Sequence, residues 1–324
     1  MSLYINGDRS LPEFTSDDLE GVLSGDPDEL DVHLVAIDQD IEIDGLAIKI
    51  HCHCLTVDGN SRIRVERLIE FMRHAIVDYA IPKSKLKEAQ ERDAKYNSGS
   101  AVAALHHQAM GTFTDLNNTG EGGEMLLFLL AERFLKLPQV LSKMDLKTDS
   151  RVHYHGADGV YAGVDDDGLL KLYWGESKVY GGASDAIRDC LASLALFLTE
   201  TDHEGSSRER DLVLLSDKAD LNDPALTAAF KKYFDKTTAL SNRVQYCGVA
   251  LVGFDAGFYP ANDTKAVAEE ISNAAKAEIE NWVKQIRNRI SVEKLERFHI
   301  EFFCVPIPSA DGFRSALLKA LGHR

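Results

Sequence analysis

Long apolar runs, a basic leader and an even set of cysteines are all missing from this sequence. No stretch of the 324 residues is apolar for long enough to span a membrane, and the opening MSLYINGDRSLPEF has neither the basic start nor the apolar run of a signal peptide. We therefore expect a cytoplasmic protein without a membrane partner. The cysteines are an odd number within apolar runs, which favours reduced core thiols over a disulfide framework; they are Cys52, Cys54, Cys190, Cys247 and Cys304.

Positive charge is also scarce, since 36 Lys and Arg stand against 52 Asp and Glu and the net charge is -16. Taken alone, this argues against a nucleic-acid partner, because phosphate binding relies on Lys and Arg. The acidity is concentrated, however, in residues 1–60, which hold fourteen acidic and two basic side chains. Basic stretches at 62–73, 83–87 and 284–289 are more typical of solvated helix faces than of binding patches. The net charge therefore does not exclude DNA.

The pattern of apolar residues predicts an α/β protein with a mixed central sheet flanked by helices. Two strand-like runs, DVHLVAID and DGLAIKIHCHCLTV, precede a helical run that should end at Pro82. Near the C-terminus, YCGVALVGFD and FHIEFFCVPI are typical of buried strands. A long helix ending near Ile290 joins them, which predicts a parallel βαβ unit. Ser309 and Gly322 are suited to cap a final helix.

One predicted hairpin has charged residues at positions where its alternating pattern predicts apolar residues that face the core. In HGADGVYAGVDDDGLLKLYWGESKVY, a loop of Asp166, Asp167 and Gly168 joins two strands, with the glycine in the left-handed conformation. Carrying the pairing outward from this loop sets Asp158 opposite Glu176. One face of the second strand is apolar and then becomes charged, and it presents Leu170, Leu172, Trp174, Glu176 and Lys178. The charged end of this face predicts a cleft at the edge of the core.

Two opposed carboxylates repel each other unless a positive charge lies between them. Lys178 is one candidate for that charge, and a divalent cation is the better one, because hard cations prefer carboxylate oxygens. Mg²⁺, or Mn²⁺ in its place, would polarise a phosphoryl group and activate a water that Lys178 orients. The pattern therefore predicts phosphodiester hydrolysis. The plainer alternative is an exposed ion pair between Glu176 and Lys178, which leaves Asp158 unexplained.

The order of these residues resembles a known superfamily. A Glu on an early helix, an Asp on one strand and Glu-x-Lys on the paired strand, followed by a helix, are similar to the PD-(D/E)XK nucleases. The resemblance implies that Asp158 and Glu176 hold the metal, with help from Glu124 in the helix GGEMLLFLLAE. It also implies that Lys178 serves the nucleophilic water. Glu121 is the alternative for the helix position, and GAD stands where the superfamily has Pro-Asp.

Three segments between residues 120 and 200 look more narrowly like the HamA family of Hachiman antiphage systems. They are GEGGEMLLFLLAERFLKLPQVLSKMDLKTDS, HGADGVYA and LYWGESKVYGG. The resemblance implies a DNA nuclease effector that works with a helicase subunit of the HamB kind. We expect a restriction-endonuclease-like core at 101–204, an acidic α+β region at 1–100 suited to dock a partner, and a βαβα region at 205–324 packed on the core.

Other functions fit the same residues. A nuclease-like fold could dock the helicase through its acidic segment without cutting, or the same site could cleave RNA. HCHC at 51–54 resembles a zinc motif, but strand alternation sends the cysteines and histidines to opposite faces, which favours a packed strand. GGASD at 181–185 could bind phosphate at a helix N-terminus, or Ser184 could simply cap that helix. His155 lies close enough to Asp158 in sequence to contact a substrate.

Overall fold

The computed structural model describes residues 13–113, 120–142, 156–200, 206–260 and 265–322, so His155 lies outside the described residues. Seven strands occur in this part of the chain: β1 (Leu34–Glu42), β2 (Ile48–Leu55), β3 (Gln139–Ser142), β4 (Gly159–Val164), β5 (Leu170–Tyr180), β6 (Val244–Asp255) and β7 (His299–Ile307). They form one sheet in the order β1-β2-β7-β6-β5-β4-β3.

Helices surround this sheet. Those in the described residues are α1 (Ser16–Glu20), α2 (Asp28–Asp31), α3 (Val65–His74), α4 (Ile76–Ala80), α5 (Lys83–Tyr96), α6 (Ser100–Thr112), α7 (Glu121–Leu129), α8 (Ala183–Leu198), α9 (Ser207–Lys218), α10 (Pro224–Lys231), α11 (Ala268–Glu293) and α12 (Ala310–Ala320). A π-helical turn, Leu130–Phe134, continues α7. No helix in the described ranges combines the length and apolarity that a membrane crossing requires.

The centre of the sheet is parallel and its edges are antiparallel. β2, β7, β6 and β5 run parallel, β1 is antiparallel to β2, and β4 and β3 continue the sheet antiparallel from β5. Parallel strands are covered by helices on both faces and therefore tend to be apolar throughout. Accordingly, β6 is buried from Cys247 to Phe254. The predicted mixed α/β sheet is confirmed, and so is the parallel βαβ unit formed by β6, α11 and β7.

The three segments expected from the sequence all contribute strands to this one sheet. β1 and β2 come from residues 1–100, β3 to β5 come from 101–204, and β6 and β7 come from 205–324. Because β7 lies between β2 and β6, the first and last segments are hydrogen-bonded to each other. The segment boundaries themselves stay a prediction.

Local sequence signals predict two helix ends correctly and one incorrectly. The helical run ends before Pro82, and Ser309 caps α12 by accepting a backbone hydrogen bond. The capping role predicted for Ser184 is wrong, because the N-cap of α8 is Gly182. The Ser184 hydroxyl instead donates to Gln285 Oε1 on α11 at 2.5 Å. The packing of α11 against the start of α8 explains the difference.

The HCHC stretch is a packed strand, as alternation predicts. All five cysteines are free and buried, while His51 lies beside Phe303 on the other face. His51 Nε2 donates to Glu301 Oε2 at 2.7 Å, because its Nδ1 accepts from the Asp40 N–H. Glu301 Oε1 accepts from His299 at 2.8 Å. Burial opposes the charge on Glu301, but these two hydrogen bonds lower its pKa to about 2.

Candidate active site

The β4–β5 hairpin has the register that its loop predicts. Gly159 pairs with Gly175, and the pairing continues without a shift to the loop, where Gly168 has a φ of 72°. The pairing ends at Gly159, and the Asp158 N–H donates to the Gly175 carbonyl at 3.0 Å, so Asp158 departs from this register one residue outside β4. The opposition of Asp158 and Glu176 stays a prediction.

The carboxylate of Asp158 is bound by Ser177, a residue to which the sequence pattern assigns no role. Asp158 Oδ2 accepts one hydrogen bond from the Ser177 backbone N–H and one from Ser177 Oγ, both at 2.9 Å. Regular pairing of β4 with β5 begins only at Gly159, so no backbone carbonyl of β4 lies opposite the Ser177 N–H. The Asp158 carboxylate accepts the hydrogen bond from this N–H instead. Asp158 is 7 % exposed. Ser177, the middle residue of Glu-Ser-Lys, thus fixes the position of the Asp158 carboxylate.

Glu176 and Lys178 form an ion pair on β5. Glu176 is 6 % exposed and the Lys178 side chain 22 % exposed, so the exposed surface pair considered as the alternative is wrong. Burial disfavours the charged ammonium, but attraction by Glu176 and Asp158 outweighs burial and raises the pKa of Lys178. Lys178 is therefore cationic at neutral pH. This state suits it to stabilise negative charge and prevents it from acting as a general base.

Two glycines allow α7 to pack closely, Gly123 against β5 and Gly122 against α12. A Cβ on Gly123 would lie 3.0 Å from Ser177 Oγ, and a Cβ on Gly122 would lie 2.8 Å from Leu317 in α12. A larger residue at Gly123 would push the first turn of α7 away from β5, and one at Gly122 would push it away from α12. The GG of GEGGEM is therefore the local reason why the first turn of α7, which contains the buried Glu124, packs closely at this point.

The motif residues are distributed around both sides of β5. Strand alternation places Ser177 on the side of α7, and Glu176 and Lys178 on the opposite side. On that opposite side, the Cys190 thiol of α8 donates to the Glu176 carbonyl at 3.3 Å. The charge of Asp158 raises the pKa of Lys178 on one side and of Tyr79 on the other. Asp158 therefore links the two halves of the site.

Tyr79 of α4 holds Glu124 through a hydrogen bond. Its hydroxyl donates to Glu124 Oε2 at 3.2 Å. Burial raises the pKa of Tyr79 well above its ordinary value, and the charges of Glu124 and Asp158 raise it further. The phenol therefore stays protonated and remains a donor. Glu121, the alternative helix residue, is also buried and acts on Tyr79 more weakly.

The donor chemistry of the site suits a hard divalent cation. Carboxylate oxygens are the ligands that Mg²⁺ and Mn²⁺ prefer. Cys190 does not compete as a thiolate, because burial raises its pKa. Across the described ranges, no three His, Cys, Asp or Glu side chains are grouped so that they could hold a metal ion. The predicted ligand set of Glu124, Asp158 and Glu176 stays a prediction, and two carboxylates with water and substrate oxygens are the simpler way to hold Mg²⁺.

Sequence reasoning missed Ser177 and Tyr79. Ser177 had a detectable signal, because it is a polar residue in a buried strand on the face opposite Glu176 and Lys178. Tyr79 had none, because it lies 45 residues before Glu124. It reaches the site only through the packing of α4 against α7.

The fold and these residues together define a class of protein. A mixed α/β sheet with Glu124 on a helix, Asp158 at the start of one strand and Glu176-Ser-Lys178 on its partner is consistent with the PD-(D/E)XK superfamily, and so with a nuclease-like protein. The HamA family model matches residues 31–321, nearly the whole chain. The chain belongs to the HamA family, and through it to Hachiman antiphage defence.

A comparison with curated proteins found no match to the chain.

Proposed function

We propose that this protein is a metal-dependent deoxyribonuclease that acts with a helicase subunit of the HamB kind in Hachiman defence. The observation that carries the proposal is the buried cluster of Asp158, Glu176 and Lys178 beside the β4–β5 hairpin, with Glu124 held nearby. Burying several carboxylates together is costly unless cations accompany them. A cluster of this kind supports a catalytic role better than a role in stability.

Asp158 and Glu176 would hold Mg²⁺ or Mn²⁺, with Glu124 assisting from α7. When bound, the ion supplies polarisation of the phosphoryl group and a water of lowered pKa. Lys178 would exchange its present partner, Glu176, for the substrate phosphate. As a permanent cation it stabilises the charge that develops on the phosphoryl oxygens and orients the attacking water.

Partner binding is proposed for the acidic N-terminal segment. Most of its described acidic side chains are exposed; they include Asp17, Asp18, Asp26, Asp28, Asp31 and Asp38. Such a surface complements a basic surface on a helicase and repels free DNA. A helicase docked there would deliver the DNA strand that the acidic chain by itself attracts weakly.

The direct test is a cleavage assay with purified protein, alone and with its helicase, on DNA and on RNA. We expect DNA cleavage with Mg²⁺ or Mn²⁺ and none with EDTA. Glu176→Ala and Lys178→Ala should abolish cleavage while the protein stays folded. Lys171→Ala is the matched control, because Lys171 lies on β5 with the opposite parity. Wild-type cleavage by the Glu176 or Lys178 variant would refute the role assigned to that residue.

A second function, a helicase-docking scaffold that does not cut, is supported by the same exposed acidic surface. A stable complex with the helicase, together with no cleavage of DNA or RNA in any condition, would favour the scaffold. Cleavage of RNA but not of DNA would favour a ribonuclease with the same site.

A further inference from the structure

We infer that Ser177 and Tyr79 are positioning residues that set the two ends of the proposed metal site, Ser177 through Asp158 and Tyr79 through Glu124. The inference rests on the proposed function, because the placement of these carboxylates matters to activity only if they bind a cation. Neither residue belongs to the acidic motif, and each one makes a specific hydrogen bond to a member of it.

Ser177 restricts Asp158 more tightly than a single contact would. Its backbone N–H and its hydroxyl both donate to the same oxygen, at equal distances of 2.9 Å, and the site is buried. Hydrogen bonds to a charged acceptor are stronger than those between neutral groups, and two donors on one oxygen fix the rotation of the carboxylate. Because the backbone bond survives any substitution, the hydroxyl can be removed alone. This makes Ser177→Ala a mild and interpretable change.

Through Tyr79, the segment of residues 1–100 contributes a hydrogen bond to the proposed site. Its ring is 1 % exposed, and its hydroxyl donates to Glu124 Oε2 at 3.2 Å. Mutation of a residue that orients a metal-binding side chain typically lowers metal affinity or activity 10- to 100-fold.

A neighbouring tyrosine provides a matched control. Tyr161 on β4 is as fully buried as Tyr79, and burial likewise raises its pKa. Within the described part of the chain, however, its hydroxyl donates to no carboxylate. Tyr79→Phe and Tyr161→Phe therefore remove the same atom from equally buried rings, and only the first removes a hydrogen bond to a motif residue.

The test is calorimetric titration of the full chain with Mn²⁺ alone, which does not depend on cleavage. We expect Ser177→Ala and Tyr79→Phe each to weaken Mn²⁺ binding about 10-fold or more. Tyr161→Phe should bind as the wild type does. In a Glu124→Gln background, Tyr79→Phe should cause no further loss. Melting temperatures confirm that each variant is folded.

The possible results separate this inference from the proposed function. Wild-type Mn²⁺ affinity in folded Ser177→Ala and Tyr79→Phe would overturn the positioning roles while leaving the nuclease proposal standing. Weakened binding without DNA cleavage by the wild type would support positioning and remove the nuclease function. Equal losses in Tyr79→Phe and Tyr161→Phe would overturn the role of Tyr79, because general loosening of the core would then explain both. A wild type that binds no Mn²⁺ would overturn both proposals.

Discussion

Replacing Lys178 with Ala should make the stability of the protein depend on divalent cations. In the wild type, the Lys178 ammonium compensates Glu176 through the ion pair and attracts Asp158 through its charge. Without Lys178, these carboxylates stay in a buried setting with less positive charge nearby. A divalent cation would supply the missing charge. The variant should therefore bind Mg²⁺ more tightly than the wild type, although it no longer cleaves DNA.

The size of the effect follows from the burial of the pair. Removing one partner of a fully buried ion pair costs about 3–5 kcal/mol. Because the Lys178 side chain is 22 % exposed and water reaches it, we expect a smaller loss of about 2 kcal/mol. For a chain of this size that loss lowers the melting temperature by roughly 3 °C. An ion at 100 times its dissociation constant restores about 2.7 kcal/mol, enough to offset the loss.

Thermal unfolding in EDTA and in increasing Mg²⁺ measures this directly. The melting temperature of Lys178→Ala should rise with Mg²⁺ by several degrees more than that of the wild type or of Lys171→Ala. If Mg²⁺ shifts all three proteins equally, removing Lys178 does not strengthen cation binding at these carboxylates, and the reasoning fails.

Three further predictions concern the surrounding fold. Because the pKa of Glu301 falls from 4.5 to about 2 on folding, this residue contributes about 3 kcal/mol, fully present above pH 4.5 and lost as the pH falls toward 2. Urea unfolding of Glu301→Gln and the wild type should therefore differ at pH 7 and converge in acid. Gly123→Ala should cost about 1–3 kcal/mol and reduce cleavage, because its Cβ would meet Ser177 Oγ at 3.0 Å. Residues 101–204 expressed alone should not fold, as judged by circular dichroism, because β5 would lose its pairing with β6.

Each of these predictions has its own control. Gly111→Ala, in α6, places its Cβ where no described atom lies within 4 Å, so it should leave cleavage unchanged and should not lower stability. Equal effects of the two glycine variants would show that close packing of α7 is unimportant. A constant difference between Glu301→Gln and the wild type from pH 7 to pH 2 would contradict the assigned pKa. A folded 101–204 fragment would show that the middle segment is an independent domain.

The hairpin and its charged end could be predicted because their signals are local. The Asp-Asp-Gly loop sets the register, which pairs the two strands without a shift as far as Gly159 and Gly175. The direction of the Asp158 carboxylate could not be predicted, because it depends on Ser177 at the point where regular strand pairing stops. Alternation describes a strand, and Asp158 lies one residue outside β4.

The rest of the site depends on contacts between distant parts of the chain. Gly123 lets the first turn of α7, which carries Glu124, approach β5 closely, and Tyr79 reaches Glu124 through helix packing. The joining of all strands into one sheet also depends on distant contacts, since β7 pairs with β2 across some 250 residues. Local patterns identify such strands correctly but do not show that the three segments share one sheet.

The central claim is that Asp158 and Glu176 form a metal site beside Lys178. A crystal of the full chain soaked in Mn²⁺, with an anomalous difference map, tests it most directly. The account predicts a peak within about 2.0–2.3 Å of oxygens from both carboxylates, and its loss in Glu176→Ala. A map without a peak there, or with Mn²⁺ bound only at other residues, would contradict the account.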